Sequence, residues 1–245
     1  MKDNFSTRAS AYAQFRPNYP VELVEYIVSF VKERELAWDC GTGNGQSAKL
    51  LSHYFRKVFA TDISKKQLEN AHREPNIFYA EEPAEKTSLA ARSVDLITVA
   101  QAIHWFNFQS FYAEVNRVAK PGAVIAVWVY TLLQISEEID AIIAEYHYET
   151  LKYFWDPERK YVDDDYAGIP FPFPEIKTRS FSIAVSWSQE ELQGYLNTWS
   201  ALQKFMKVHS FDPVNDVMNK IKPHWGNSAK RKVIFPIHLK LGIIA

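Results

Sequence analysis

Trp38-Asp39-Cys40-Gly41-Thr42-Gly43-Asn44-Gly45-Gln46 is the stretch that decides the fold. An acidic residue and three alternating glycines close the short apolar run Leu36–Cys40, which reads as a buried strand. Glycine lets backbone pass where a Cβ would collide with a ligand or force a forbidden φ, so Gly41, Gly43 and Gly45 read as a backbone bed for a cofactor. Behind them Gln46, Ala48, Leu51 and Phe55 recur at helical spacing. Strand, glycine turn and helix make the first unit of a nucleotide-type binding fold.

The glycine spacing narrows the ligand. A dinucleotide fingerprint, G-x-G-x-x-G, needs a third glycine at Gln46 if it starts at Gly41, and near Ala48 if it starts at Gly43; neither register fits. A second acid follows: Lys57–Thr61 is a buried-strand pattern ending in Asp62, and Ser64-x-x-Gln67 is a capping box that opens a helix. At the carboxyl end of its strand, the Asp62 carboxylate suits both hydroxyls of a ribose and supports an adenosine ligand without naming it. The competing reading of both features is a tight connection and a capped turn with no ligand.

The pattern D-x-G-x-G-x-G from Asp39 to Gly45 resembles the first motif of the class I S-adenosylmethionine-dependent methyltransferases. Pro83-Ala84-Glu85, the run Ser93–Phe106, the run Phe111–Gly122 and the opening Tyr12-x-x-Phe15-Arg16-Pro17-x-Tyr19-Pro20 resemble its methyltransferase type 11, trans-aconitate methyltransferase-like branch. Residues 1–130 carry the resemblance well and the remainder loosely. It implies S-adenosyl-L-methionine as cofactor, with Asp39 at the methionine ammonium region and the Gly41, Gly43 and Gly45 backbone against methionine and ribose. Asp62, with Ile63 beside it, takes the ribose; Ala84 and Glu85 lie beside the adenine; Gln101 lies near the methyl donor; and Tyr12, Arg16 and Tyr19 fold over the cofactor. Glu82 departs from the pattern, standing where many relatives carry glycine. The implied fold is a Rossmann-like α/β domain: a seven-stranded, mostly parallel sheet in the order 3-2-1-4-5-7-6, the final strand antiparallel.

Composition agrees. With 245 residues and 47% hydrophobic content, the chain is long enough for one large α/β domain spanning 1–245, divided into a cofactor-binding core (1–130) and an insertion with a substrate-side half (131–245). A net charge of −1 with scattered Lys and Arg shows no phosphate-neutralising footprint, which disfavours a nucleic-acid partner. The single cysteine, Cys40, excludes an internal disulfide and reads as a small buried residue. Met1–Tyr19 has no apolar h-region, and the longest apolar stretch, Ala123–Ile135, is too short to span a bilayer. The expectation is a soluble cytoplasmic protein without a membrane partner, monomeric or homodimeric. Asp163-Asp164-Asp165 reads as a solvated turn rather than a metal site.

Helices are expected at Val21–Arg34, Gln46–Tyr54, Lys65–His72 and Ser110–Ala119, and strands at Leu36–Cys40, Lys57–Thr61, Ile77–Ala80, Val94–Ala100 and Ala123–Val129. Their alternation implies parallel pairing with helices on both faces. Lys120-Pro121-Gly122 reads as a sharp stop before the fifth strand. Glu137–Phe154 reads as an added aromatic helix, either a roof over a substrate or a peripheral decoration packed for stability alone. Ser188-x-x-Glu191 is another capping box, and Leu192, Tyr195, Leu196, Trp199, Leu202 and Met206 continue as a core stripe. Phe181–Trp187 and Val233–Ile244 complete the strands.

Methyl transfer from a sulfonium needs alignment and exclusion of water more than acid–base chemistry, and orientation alone supplies up to roughly 7–11 kcal/mol. The resemblance implies a small-molecule acceptor, a carboxylate among the candidates, which needs no proton removed. Rings at Tyr12, Phe15 and Tyr19 suit a cation, and Arg16 suits an acidic substrate or the cofactor carboxylate. The competing role for all four is packing. His104, after the fourth strand, is the candidate base for a hydroxyl or amine acceptor, against a structural role for a lone histidine. Trp105 and Trp128 are candidates for the substrate wall. Gln101-Ala102-Ile103-His104 stands where methyltransferases of base and glutamine nitrogens carry an N/D-P-P-Y/W turn, which favours a small acceptor. Two other readings stay open: a binding protein of the same fold without transferase activity, and a nicotinamide-dependent oxidoreductase, to which the glycine register is hostile.

Overall fold

The computed structural model describes residues 15–245, so Tyr12 lies outside the described residues. Its frame is a sheet built from strands with two distinct burial patterns. β1 (Leu36–Cys40), β2 (Lys57–Asp62) and β3 (Ile77–Glu81) precede β4 (Val94–Ala100) and β5 (Ala119–Tyr130), whose near-continuous buried runs mark strands covered on both faces. β6 (Phe181–Trp187) and β7 (Arg231–Ile243) finish the sheet in the order β3-β2-β1-β4-β5-β7-β6. β7 is antiparallel to β5 and β6, and the other pairings are parallel. This is the order the family resemblance implies.

Period-two alternation splits the core between the faces. Val124, Ala126, Trp128 and Tyr130 of β5 pack in the cluster that includes α1 (Val21–Val28) and α2 (Gln46–Leu51). Ile125, Val127 and Val129 pack in the other. α3 (Lys65–Glu69) follows β2, and α4 (Phe108–Val118) covers the second face through Phe111, Val115 and Val118. The Asn107 side chain caps α4 by accepting from the Ser110 amide at 3.0 Å.

Several boundaries differ from the sequence expectation, each for a local reason. α1 stops at Val28 rather than Arg34, where the Ser29 hydroxyl donates to the Tyr26 carbonyl at 2.7 Å and the chain turns. Lys120-Pro121-Gly122 does not precede β5 but lies within it. The register slips between the Val94 and Leu96 pairings, Gly122 adopts φ +79°, and Lys120 Nζ reaches Asp95 at 2.5 Å.

Glu137–Phe154 is not one helix. α5 (Glu137–Glu145) gives way to a π-helical turn, Tyr146–Thr150, and a 3-10 turn, Lys152–Phe154. The π turn carries Tyr146 and His147 inward, where Tyr146 stacks on Trp199 with ring centres 5.4 Å apart. α6 (Arg159–Asp163) follows. The stripe beginning at Leu192 divides into α7 (Gln189–Asn197), opened by the Ser188–Glu191 capping box, and α8 (Ser200–Val208), ahead of α9 (Pro213–Trp225). Thr198 ends α7 by donating to the Tyr195 carbonyl at 2.7 Å, and the break leaves Met206 exposed while Leu192, Leu196 and Leu202 stay buried. Among the described residues no helix is long and apolar enough to cross a membrane.

Candidate active site

Strand order reverses between β1 and β4, and in open α/β sheets ligands collect at the carboxyl ends beside that switch. Here the glycine turn leaves β1. The Thr42 amide donates to the Thr61 carbonyl at 2.9 Å, and the Gly45 amide closes the turn on the Thr42 carbonyl at 2.9 Å. Gly41 sits at φ +66°, and a Cβ there would lie 2.6 Å from the Ala102 Cβ, so only glycine lets the turn lie against the exit of β4. Gly43, at φ +55°, has open space where its Cβ would be.

Two carboxylates fix this turn. Asp62 accepts from the Gly43 amide and the Ser64 amide, both at 2.8 Å, tying the turn to the start of α3. Asp39 is fully buried and accepts from the hydroxyls of Thr42 (2.5 Å) and Thr98 (2.7 Å). Burial raises the Asp39 pKa, and the hydroxyl donors oppose it.

The turn floors a cleft with about 880 Å³ of empty space, open to solvent. Gly41, Gly43, Asn44, Asp62 and Ile63 line one side; Arg16, Tyr19, Gln101, Trp105, Phe106 and Tyr130 line the other. Gln101 holds a left-handed backbone at φ +56°, a conformation costing on the order of 1–3 kcal/mol in a residue with a Cβ. Two bonds to β5 sustain it: its amide donates to the Trp128 carbonyl and its Nε2 to the Tyr130 carbonyl, each at 2.9 Å.

A second cavity, with about 740 Å³ of empty space that includes open solvent, adjoins the first and shares Arg16, Gln101, Trp105 and Tyr130 with it. Arg16 donates to the Tyr130 hydroxyl at 2.8 Å and lies over the Tyr195 ring at 5.1 Å. The rest of the wall comes from the segment after β5: Trp155, Asp156, Arg159, Tyr195 and Trp199. Asp156 is paired with Lys204 at 2.7 Å. His104 lines this cavity and lies 2.7 Å from the Tyr166 hydroxyl, which consecutive left-handed residues, Asp165 and Tyr166, swing into place. Burial, with help from the Arg159 charge, lowers the His104 pKa to about 3, so its ring is neutral near pH 7 and a poor proton acceptor.

Residues 38–127 match the methyltransferase domain family. A candidate methyltransferase of Dictyostelium discoideum is 37% identical over 247 residues, covering 98% of this chain and 94% of that protein. The chain belongs to the class I S-adenosylmethionine-dependent methyltransferases. A probable S-adenosylmethionine-dependent methyltransferase of Saccharomyces cerevisiae is 29% identical over 188 residues, covering 72% of this chain and 63% of the yeast protein. The solved structure of a candidate type II methyltransferase from Anaeromyxobacter dehalogenans superposes with a TM-score of 0.88 at 37% identity, covering 94% of this chain and 98% of that one.

The cleft over the glycine turn fits the cofactor of this methyltransferase class. Gly43 leaves open space against main chain, Asp62 stands at the end of β2, and the lining carries the rings of Trp105, Phe106, Tyr19 and Tyr130, surroundings that suit a sulfonium. Of the residues expected at the cofactor, Arg16, Tyr19, Gly41, Gly43, Asp62, Ile63 and Gln101 line the cleft. Asp39 and Gly45 do not: Asp39 is enclosed under the turn and bonded to Thr42, and Gly45, at φ +80°, has the Tyr79 hydroxyl where its Cβ would lie. Ala84 and Glu85 also stand away from the lining. Ala84 is buried, and Glu85 accepts from the Asn107 amide at 2.9 Å, while Glu114 holds Thr87 so that the segment is pinned on α4.

Trp128 is a correction. It is 0% exposed, lines neither cavity and packs edge-on against Tyr19 with ring centres 5.4 Å apart, because it lies on the α1 face of β5 two residues short of the strand's end. The residue at the strand exit is Tyr130, two positions on, which lines both cavities. The acidic run is corrected in part: the Asp163 carboxylate is bonded to His147 and Arg159 rather than merely solvated. Trp155 and Arg159 had no sequence signal.

Proposed function

We propose that this methyltransferase acts on a small-molecule acceptor held in the second cavity, and that the methylated group is a carboxylate. The observation that carries the reading is the shared wall: Arg16, Gln101, Trp105 and Tyr130 belong to both cavities, so a methyl group presented over the glycine turn meets an acceptor across them. The charge of the second cavity supports an anion. Two guanidiniums, Arg16 and Arg159, line it against one carboxylate, Asp156, and the Asp163 carboxylate that pairs with Arg159 stands outside the lining. The neutral, depressed His104 supports an acceptor that needs no base.

When bound, the cofactor supplies a sulfonium methyl whose C–S bond breaks as the acceptor oxygen attacks in line, giving a methyl ester and S-adenosylhomocysteine. The residues of the chain align and enclose. Gln101, locked to β5, and Tyr130, held by Arg16, fix the shared wall, and an aligned pair gains up to roughly 7–11 kcal/mol without acid–base help. Trp105, Trp155 and Trp199 exclude water from the acceptor. Residues 15–130 supply the cofactor side and 131–245 most of the acceptor side, in keeping with the trans-aconitate methyltransferase-like motifs of the amino-terminal half.

The test is transfer of labelled methyl from S-adenosylmethionine to a panel of acids, phenols and amines. Base-labile label on acids supports the proposal. Stable label confined to phenols or amines refutes the carboxylate and leaves the transferase.

A further inference from the structure

Arg159 lines the second cavity and not the first, so it stands off the wall across which the methyl must pass. Its guanidinium is already positioned by protein. Nε donates to Asp163 at 2.9 Å, and the group lies over the Trp155 ring with Cζ 4.7 Å from the centre. Among the described residues no hydrogen bond reaches either of its Nη atoms.

The supports of Arg159 form a closed circuit. Asp163 is bonded to His147 Nε2 at 3.1 Å, and Trp155 Nε1 donates to the His147 carbonyl at 3.1 Å, so His147 steadies both the carboxylate and the ring that hold the cation. His147 is 1% exposed and sits on the π-helical turn, a feature that recurs at functional sites. Burial lowers the His147 pKa against the pull of Asp163. Asp163, pushed up by burial, is held below its ordinary range by His147 and Arg159. With the imidazole neutral and the carboxylate ionised, Arg159 is the cation of this group that lines the cavity, paired with Asp163 through Nε. Its charge is felt at His104, Tyr166 and Tyr195.

Such an arrangement suits one ligand chemistry. A pre-positioned guanidinium with both Nη groups available takes a carboxylate in a two-point contact, and a lysine would not reproduce that fork. Trp155, Trp199 and Tyr195 offer ring faces for the body attached to it. Resting on the reading of this cavity as the acceptor site, we infer that Arg159 is a specificity-determining residue that anchors a carboxylate of the acceptor distinct from the atom methylated at the shared wall. The acceptor is then an organic acid with two polar ends: an anion on Arg159 and a nucleophilic oxygen near Gln101 and Tyr130.

The test is calorimetric titration, with S-adenosylhomocysteine saturating, of 3-phenylpropanoate, hexanoate and phenylsuccinate against their amides, in the wild type, Arg159→Gln and Arg159→Lys. The expected result is that at least one acid binds the wild type tenfold or more tighter than its amide. Arg159→Gln brings that ratio within twofold, Arg159→Lys keeps an intermediate ratio, and S-adenosylhomocysteine affinity stays within twofold in all three. No acid preference in the wild type, or a preference that survives Arg159→Gln, overturns the assignment. Failure of the wild type to bind S-adenosylhomocysteine would instead strike the cofactor site on which it rests, a separate readout in the same experiment.

Discussion

His104 makes a quantitative prediction about acid stability. Its ring is 7% exposed and bonded to Tyr166, and burial with the nearby Arg159 charge lowers its pKa from 6.5 to about 3. The unfolded chain therefore binds a proton at His104 in the window between those values while the folded chain does not, so stability falls as pH drops below 6.5 and levels off near 3. Each unit inside the window is worth about 1.4 kcal/mol, which puts the loss from pH 7 to pH 5 at about 2 kcal/mol. Asn in place of His104 keeps a polar partner for Tyr166 and removes the titration. His147 and the carboxylates titrate alike in both proteins and cancel in the difference. Urea unfolding followed by tryptophan fluorescence at pH 7 and pH 5 should show the wild type losing about 2 kcal/mol more than His104→Asn. Parallel pH dependence, with a difference under about 0.5 kcal/mol, would refute the buried neutral imidazole and with it the case against His104 as base.

Further outcomes follow from the same geometry. Asp62→Ala removes the acceptor of the Gly43 and Ser64 amides as well as the proposed ribose contact, and S-adenosylhomocysteine affinity by calorimetry should drop at least about tenfold, since bonds to a charged group are worth about 1.5–3 kcal/mol; unchanged affinity counts against Asp62 at the ribose. Gly41→Ala forces a Cβ to 2.6 Å from the Ala102 Cβ at a left-handed φ, and thermal unfolding should show a loss of about 1–3 kcal/mol; a neutral result would mean that the turn has slack. Trp128→Phe should cost about 1–3 kcal/mol of stability yet leave S-adenosylhomocysteine affinity within about twofold; a large affinity loss at full stability would return Trp128 to the site wall.

The cofactor half of this chain was legible because its signals are local. The turn at Gly41–Gly45, the acid at the end of β2 and the apolar runs of β4 and β5 each follow from backbone sterics or burial within a few residues, and the sheet order followed from family motifs. Single-residue orientation was less legible. Strand periodicity fixes which face Trp128 and Tyr130 share, but the end of β5, which separates core from cavity, depends on pairing with β7 at the Tyr130–Ile237 register. The acceptor half was nearly opaque. A π-helical turn at Tyr146–Thr150 has no propensity signature, and the circuit of His147, Trp155, Arg159 and Asp163 arises only once that turn is made. Helical spacing across Leu192–Met206 likewise conceals the break at Thr198, because α7 and α8 resume burial in nearly the same phase.

The account rests on a methyl donor over the glycine turn facing an acceptor through Arg16, Gln101, Trp105 and Tyr130. A crystal structure with S-adenosylhomocysteine bound measures this directly. The predicted result places the ribose at Asp62 and the sulfur facing the shared wall, within reach of the second cavity. A sulfur turned away from that wall, or a ligand lodged outside the cleft over Gly43, would contradict it.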